Sequence, residues 1–138
     1  MLDLEMLLCE KKSLASAVTS DVYDFGQEHP RSGAYADPIV CVIKFPTAGT
    51  GTGDTNSVVF AIEHSDNNSD FTVAVETAKI AGADCKNQMI IPMPIEHKRY
   101  VRVKTTVAGT VTGTMTAYLS NSYSLPPVVK KEGIDILP

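Results

Sequence analysis

The side chains best placed to do chemistry are the oxygen-bearing ones of HSDNNSDF, residues 64–71. Asp66, Asn68 and Asp70 alternate, a spacing from which three oxygens could converge on a hard cation such as calcium. A calcium loop of the helix–loop–helix type also needs Gly at its sixth position and a bidentate Glu at its twelfth. Counting from Asp66, those positions hold Phe71 and Thr77. Asp, Asn and Ser are equally the residues that close turns with their own side chains. The stretch is therefore expected to be a hairpin loop, and no metal is expected in it.

The other candidates fail on similar grounds. TAGTGTGD (47–54) has the glycines of a phosphate loop but no following Lys, and a strand-like segment succeeds it where a helix is required. His29, His64 and His97 have no HxH or HExxH spacing, and GxSxG is absent. Cys9, Cys41 and Cys85 are odd in number, widely spaced and without CxxC, which reads as reduced thiols of a cytosolic protein. Cys41, within PIVCVIKF, is expected to act as a small buried hydrophobe. No catalytic residue and no cofactor is expected, and the chain does not read as an enzyme.

Two features remain as candidate interaction sites. EHKRYVRVK (96–104) concentrates Lys98, Arg99, Arg102 and Lys104 on an otherwise acidic chain. Such a strip is either a solvated strand face or a docking edge that orients an acidic partner. The aliphatic tip Ile134, Ile136 and Leu137 follows a Pro-Pro break, and leucines Leu2, Leu4 and Leu7 crowd the opposite end. Exposed aliphatics of this kind need a surface to cover them. These nine residues, without Lys104, are the expected subunit or partner contacts.

Around these stands an ordinary globular composition of 138 residues, 43% hydrophobic and 20% charged, with formal net charge −4. That balance gives no support to non-specific nucleic-acid binding, and the apolar runs are too short for a bilayer. The opening MLDLEMLLCEKK places its basic pair after a broken apolar run, the wrong order for a secretory signal.

The elements that must position any site are strands. PIVCVIKF (38–45), SVVFAIEHS (57–65), FTVAVETAKI (71–80), RYVRVKTTV (99–107) and VTGTMTAYLS (111–120) are rich in β-branched residues. The last four alternate. Val58, Phe60 and Ile62 share one face, as do Phe71, Val73 and Val75, Val101 and Val103, and Met115, Ala117 and Leu119. PIVCVIKF is apolar on both faces, as a central strand covered twice would be. AVTSDVYDF (17–25) is a shorter candidate, Pro92 and Pro94 demote NQMIIPMPI (87–95) to an edge, and TAKIAGADCK holds at most one helical turn. The fold class is all-β, a sandwich or barrel. The expected division is an N-terminal arm over 1–14, a sandwich over 15–120 and a tail over 121–138.

Several stretches carry a family resemblance: MLD followed by leucines, ASAVTSDVYDFG, VVFAIEHSDNNSDFTVAVET and PIEHKRYVRVKTTVAGTVTGTMTAYLS. Together they resemble the small jelly-roll capsid cement, or decoration, proteins of tailed bacteriophages, of the Bordetella-phage type. The likeness covers roughly residues 1–121; the GTGTGD loop and the tail after Ser120 fall outside it. It implies a jelly-roll sandwich with extended arms, bound to the outer surface of an icosahedral head across seams between major capsid protein subunits. It also implies a homo-oligomer, dimer or trimer, assembled in the bacterial cytoplasm, with no catalytic residues. The competing expectation is a sugar-binding sandwich module of a phage tail or fibre. Without tryptophan, that reading would depend on Tyr23, Tyr35, Tyr100, Tyr118 or Tyr123 for stacking.

Overall fold

The computed structural model describes residues 7–26, 39–94 and 96–121. Nine strands follow in order: β1 (Leu7–Ser13), β2 (Tyr23–Asp24), β3 (Ile39–Phe45), β4 (Ser57–Ser65), β5 (Thr72–Glu76), β6 (Ile80–Ala81), β7 (Asn87–Pro92), β8 (Tyr100–Ala108) and β9 (Thr114–Asn121). One 3-10 turn, Gly82–Asp84, precedes β7 and is the single turn that TAKIAGADCK allows.

The pairing has a simple logic. β1 pairs with β9, β2 with β8, β3 with β7 and β4 with β5, all antiparallel. The chain is thus one long hairpin, doubled at the β4–β5 loop and then rolled. Rolling brings β3 against β9 and β4 against β8, giving a four-stranded sheet β1-β9-β3-β7 and a five-stranded sheet β2-β8-β4-β5, with β6 beside β4. This is the jelly-roll arrangement.

The alternating residues meet between the two sheets. Cys41 and Ile43 of β3, Val58, Phe60 and Ile62 of β4, Val101 and Val103 of β8, and Met115, Ala117 and Leu119 of β9 are fully or almost fully buried in one cluster. Phe45 and Phe60 meet edge to face across it, 5.9 Å between centroids. On the other face of β3, Val42 is also buried whereas Lys44 is exposed, so the second covering expected for that strand is partial.

Three expectations need correction. Val73 and Val75 do not share a face: Ile62 pairs with Val75 but Glu63 pairs with Val73, and Ala74 is the extra residue of a bulge. One added residue reverses every side chain beyond it. Val75 therefore packs on the core while Val73 is 49% exposed. The stretch 17–25 is regular only at Tyr23–Asp24. Upstream it follows β8 with hydroxyls in the ladder: Val18 N–H donates to Thr105 Oγ1 at 2.7 Å and Val103 N–H to Ser20 Oγ at 2.8 Å. Finally, Leu7–Ser13, placed within the N-terminal arm, is an edge strand of the first sheet, and Leu8 is buried. Leu2, Leu4, Ile134, Ile136 and Leu137 lie outside the described residues, as does the tail beyond Asn121.

The TAGTGTGDTN loop forms one end of the sandwich together with residues 82–85 and 109–113. Gly49 N–H donates to Cys85 O, Gly82 N–H to Asn56 O and Ala83 N–H to Gly51 O, at 2.8–3.0 Å. The glycines serve backbone-to-backbone approach. A Cβ on Gly82 would overlap the carbonyl of Thr50, and one on Gly109 the carbonyl of Thr55.

Candidate functional site

The concentrated cations lie at the other end of the second sheet, where β2, the end of β4, the β4–β5 loop and the β7–β8 connection converge. The register dictates what faces them. Arg102 stands opposite Glu63, and Asp24 opposite Tyr100 beside Arg99. Arg102 Nε donates to Glu63 Oε1 at 2.8 Å, with the two side chains 24% and 11% exposed. Arg99 grips Asp24 through two bonds, Nε to Oδ1 at 2.7 Å and an Nη to Oδ2 at 3.0 Å. Lys98 Nζ lies 3.6 Å from Asp66. Each of these three cations of the strip thus has its own carboxylate.

Aromatic faces complete the arrangement. The Arg102 guanidinium lies 3.9 Å over Phe71, and Arg99 lies 5.1 Å from the Tyr100 centroid. Planar guanidiniums stack where a flexible ammonium would not. The Arg99 bonds, with a further one from Gly26 N–H, hold the Asp24 carboxyl below its ordinary range.

Beneath the strip are two histidines bonded to the backbone of one residue, Lys98. His64, at the end of β4, accepts a hydrogen bond at Nδ1 from Lys98 N–H at 3.1 Å. His97 is buried, bonds the Lys98 carbonyl through Nδ1 at 2.9 Å and meets the Phe25 ring at 4.5 Å. Because a carbonyl only accepts, His97 carries its proton on Nδ1. Burial pushes both imidazoles below their ordinary value; for His64 the Lys98 and His97 charges add to that and Asp66 opposes it.

HSDNNSDF turns its corner around Asn67. The Asn67 Oδ1 accepts from Ser65 Oγ, Ser69 N–H and Asp70 N–H, each at 2.9 Å, and its amide donates to Asp70 Oδ2 at 3.0 Å. Asn68 takes the left-handed conformation, φ 61°, that such a corner requires. Among the described residues no three His, Cys, Asp or Glu side chains come together as a metal set. The thiols are poor nucleophiles: burial pushes all three up, Cys41 to about 12.

Leu7, the described member of the leucine group, is half-buried on β1, paired with Tyr118. It borders a cleft of about 420 Å³ with Cys9, Glu10, Lys12, Thr19 and Asp21, and Thr19 bridges Lys104, the last cation of the basic stretch. The partners that sequence reasoning missed are Asp24 and Glu63; Asp66 was singled out as a cation ligand rather than as the partner of Lys98. Glu63 was within reach, since once β4 and β8 are paired the alternation of each puts a carboxylate opposite an arginine.

An antiparallel jelly roll with an ion-paired outer face is the class of protein that these features define. The Bbp16 family model matches residues 12–119, from within β1 to within β9. The chain belongs to the Bbp16 family, which bears the name of a Bordetella phage protein. No curated protein matches it.

Proposed function

We propose that this protein is a structural, non-enzymatic cement protein of a phage head, binding the outer surface of the shell across seams between major capsid protein subunits as a homo-oligomer. The observation that carries this reading is family membership extending over most of the jelly roll, residues 12–119. The rigid two-sheet frame supports it, because a clamp must hold its contacts at fixed separation. A protein that binds the assembled lattice but not free subunits stabilises the lattice by linkage, about 2.7 kcal/mol per site at a hundredfold excess over Kd. An oligomer spanning several subunits gains roughly 10²–10⁴ in avidity from modest single contacts. The acidic sum of charges gives the protein no general pull toward nucleic acid.

The test is addition of purified protein to heads that lack it. Binding is expected to saturate at a fixed ratio to the major capsid protein and to raise the temperature at which heads disrupt. Heads that take up none and are equally robust without it would overturn the proposal.

A further inference from the structure

We propose that His64 is a proton-operated latch: its neutral imidazole holds residues 96–99 against the end of β4, and protonation at Nδ1 releases them. The bond that closes the latch runs from Lys98 N–H to His64 Nδ1, 3.1 Å. An imidazole nitrogen that accepts a hydrogen bond is unprotonated, so the only site at which His64 can take up a proton is the one already in use. Once protonated, Nδ1–H faces the Lys98 N–H donor to donor, and the contact becomes repulsive.

The groups around the ring deepen the effect. Lys98, and His97 once protonated, add positive charge from the β7–β8 connection, and Asp66 in the β4–β5 loop is the anion that opposes them. Asp66 is itself engaged by Lys98 at 3.6 Å. Burial first, then the Lys98 charge and that of a protonated His97, hold His64 below its ordinary value of 6.5. The unfolded or opened segment therefore binds a proton that the latched one does not, so closure weakens as pH falls through 6.5 toward the lower native value.

His97 has a different part. Its Nδ1–H bond to the Lys98 carbonyl survives protonation, so charging this buried ring costs desolvation but breaks no bond to the segment. The same segment holds the second sheet's corner: Phe25 N–H donates to Arg99 O at 3.0 Å, and Arg99 grips Asp24. Opening at Lys98 thus loosens β2 and frees the two leading cations of the strip from their fixed positions.

The experiment is amide hydrogen exchange at Lys98 in the ¹⁵N-labelled full chain, corrected for intrinsic exchange, at pH 7.5 and pH 5. Protection is expected to fall by about tenfold or more at the lower pH, in step with the His64 titration. In His64→Asn the side-chain oxygen can take the Nδ1 position and accept without titrating, so the fall is expected to shrink below about twofold. Unchanged wild-type protection across this range overturns the latch, as does a His64→Asn chain as pH-sensitive as the wild type. Imidazole ¹⁵N shifts in the unmodified chain decide the matter even if the variant does not fold. A His64 proton on Nε2 at pH 7.5 is expected, and one on Nδ1 refutes the proposal.

Discussion

At the scale of single residues, the basic strip shows how pairing changes the meaning of a charge. Glu63 is buried, and a carboxylate so placed is tolerable because Arg102 bonds it and Phe71 shields the guanidinium. Arg102→Met keeps the stem but strips the partner, and should cost about 1–3 kcal/mol in urea unfolding. Adding Glu63→Gln should recover part of that loss, because the orphaned charge goes with it. If the single variant unfolds at the wild-type midpoint, the pair is ornamental. Lys98–Asp66 is different: at 3.6 Å and with both side chains well exposed, it contributes little to folding. The strip's charges were legible in the sequence, but their neutralisation was not. Asp24 and Asp66 lie 75 and 32 positions from Arg99 and Lys98 respectively, and only the rolled fold makes them neighbours.

At the scale of elements, alternation identified the interior faces of β4, β8 and β9 correctly, because period-2 burial is written directly into Val58, Phe60, Ile62, Val101, Val103, Met115, Ala117 and Leu119. It failed at β5 because a bulge is an insertion in the pairing, and one strand read alone carries no sign of its partner's count. The bulge makes a sharp prediction. Val75→Thr puts a hydroxyl against the core and should cost about 1–2 kcal/mol, whereas Val73→Thr on the open face should stay within about 0.5 kcal/mol. Equal costs, measured by thermal or urea unfolding, would mean that the two residues share a face after all. β1 was misplaced for another reason: Lys11 has φ 51° and the register to β9 shifts twice, so its leucines never show a clean period. At the glycine end the sequence shows loop residues, and the close backbone approaches come from the fold. Gly109→Ala collides with Thr55 backbone at left-handed φ and should cost about 3 kcal/mol or more. Gly53→Ala has a similar φ but open space around it, and should cost only about 1–2 kcal/mol. The difference between those two variants in one denaturation series isolates the packing of that end from backbone preference.

At the scale of the whole molecule, the nested pairing determines what can be removed. β9 is the last layer of the roll and lies between β1 and β3, so the described strands reach closure at Asn121. The family match stops at residue 119, within that strand. A chain ending at residue 126 retains every strand pairing described above, and deletion of residues 127–138 should shift the unfolding midpoint by no more than about 1 kcal/mol of stability. The same deletion removes Ile134, Ile136 and Leu137, the aliphatic tip expected from the sequence to be a contact with a partner. The truncated protein should therefore remain folded by circular dichroism yet bind heads with an affinity reduced by at least about tenfold, equivalent to about 1.4 kcal/mol. Multivalency sharpens the result, since a modest loss at each contact is multiplied across an oligomer. A truncated chain that unfolds would place the tail in the framework, and one that binds heads undiminished would move the grip to the strands or to the leucine-bearing N-terminus. Leu7→Ser then becomes the discriminating variant, because Leu7 is half-buried at the sheet edge and its loss would report on adhesion through β1.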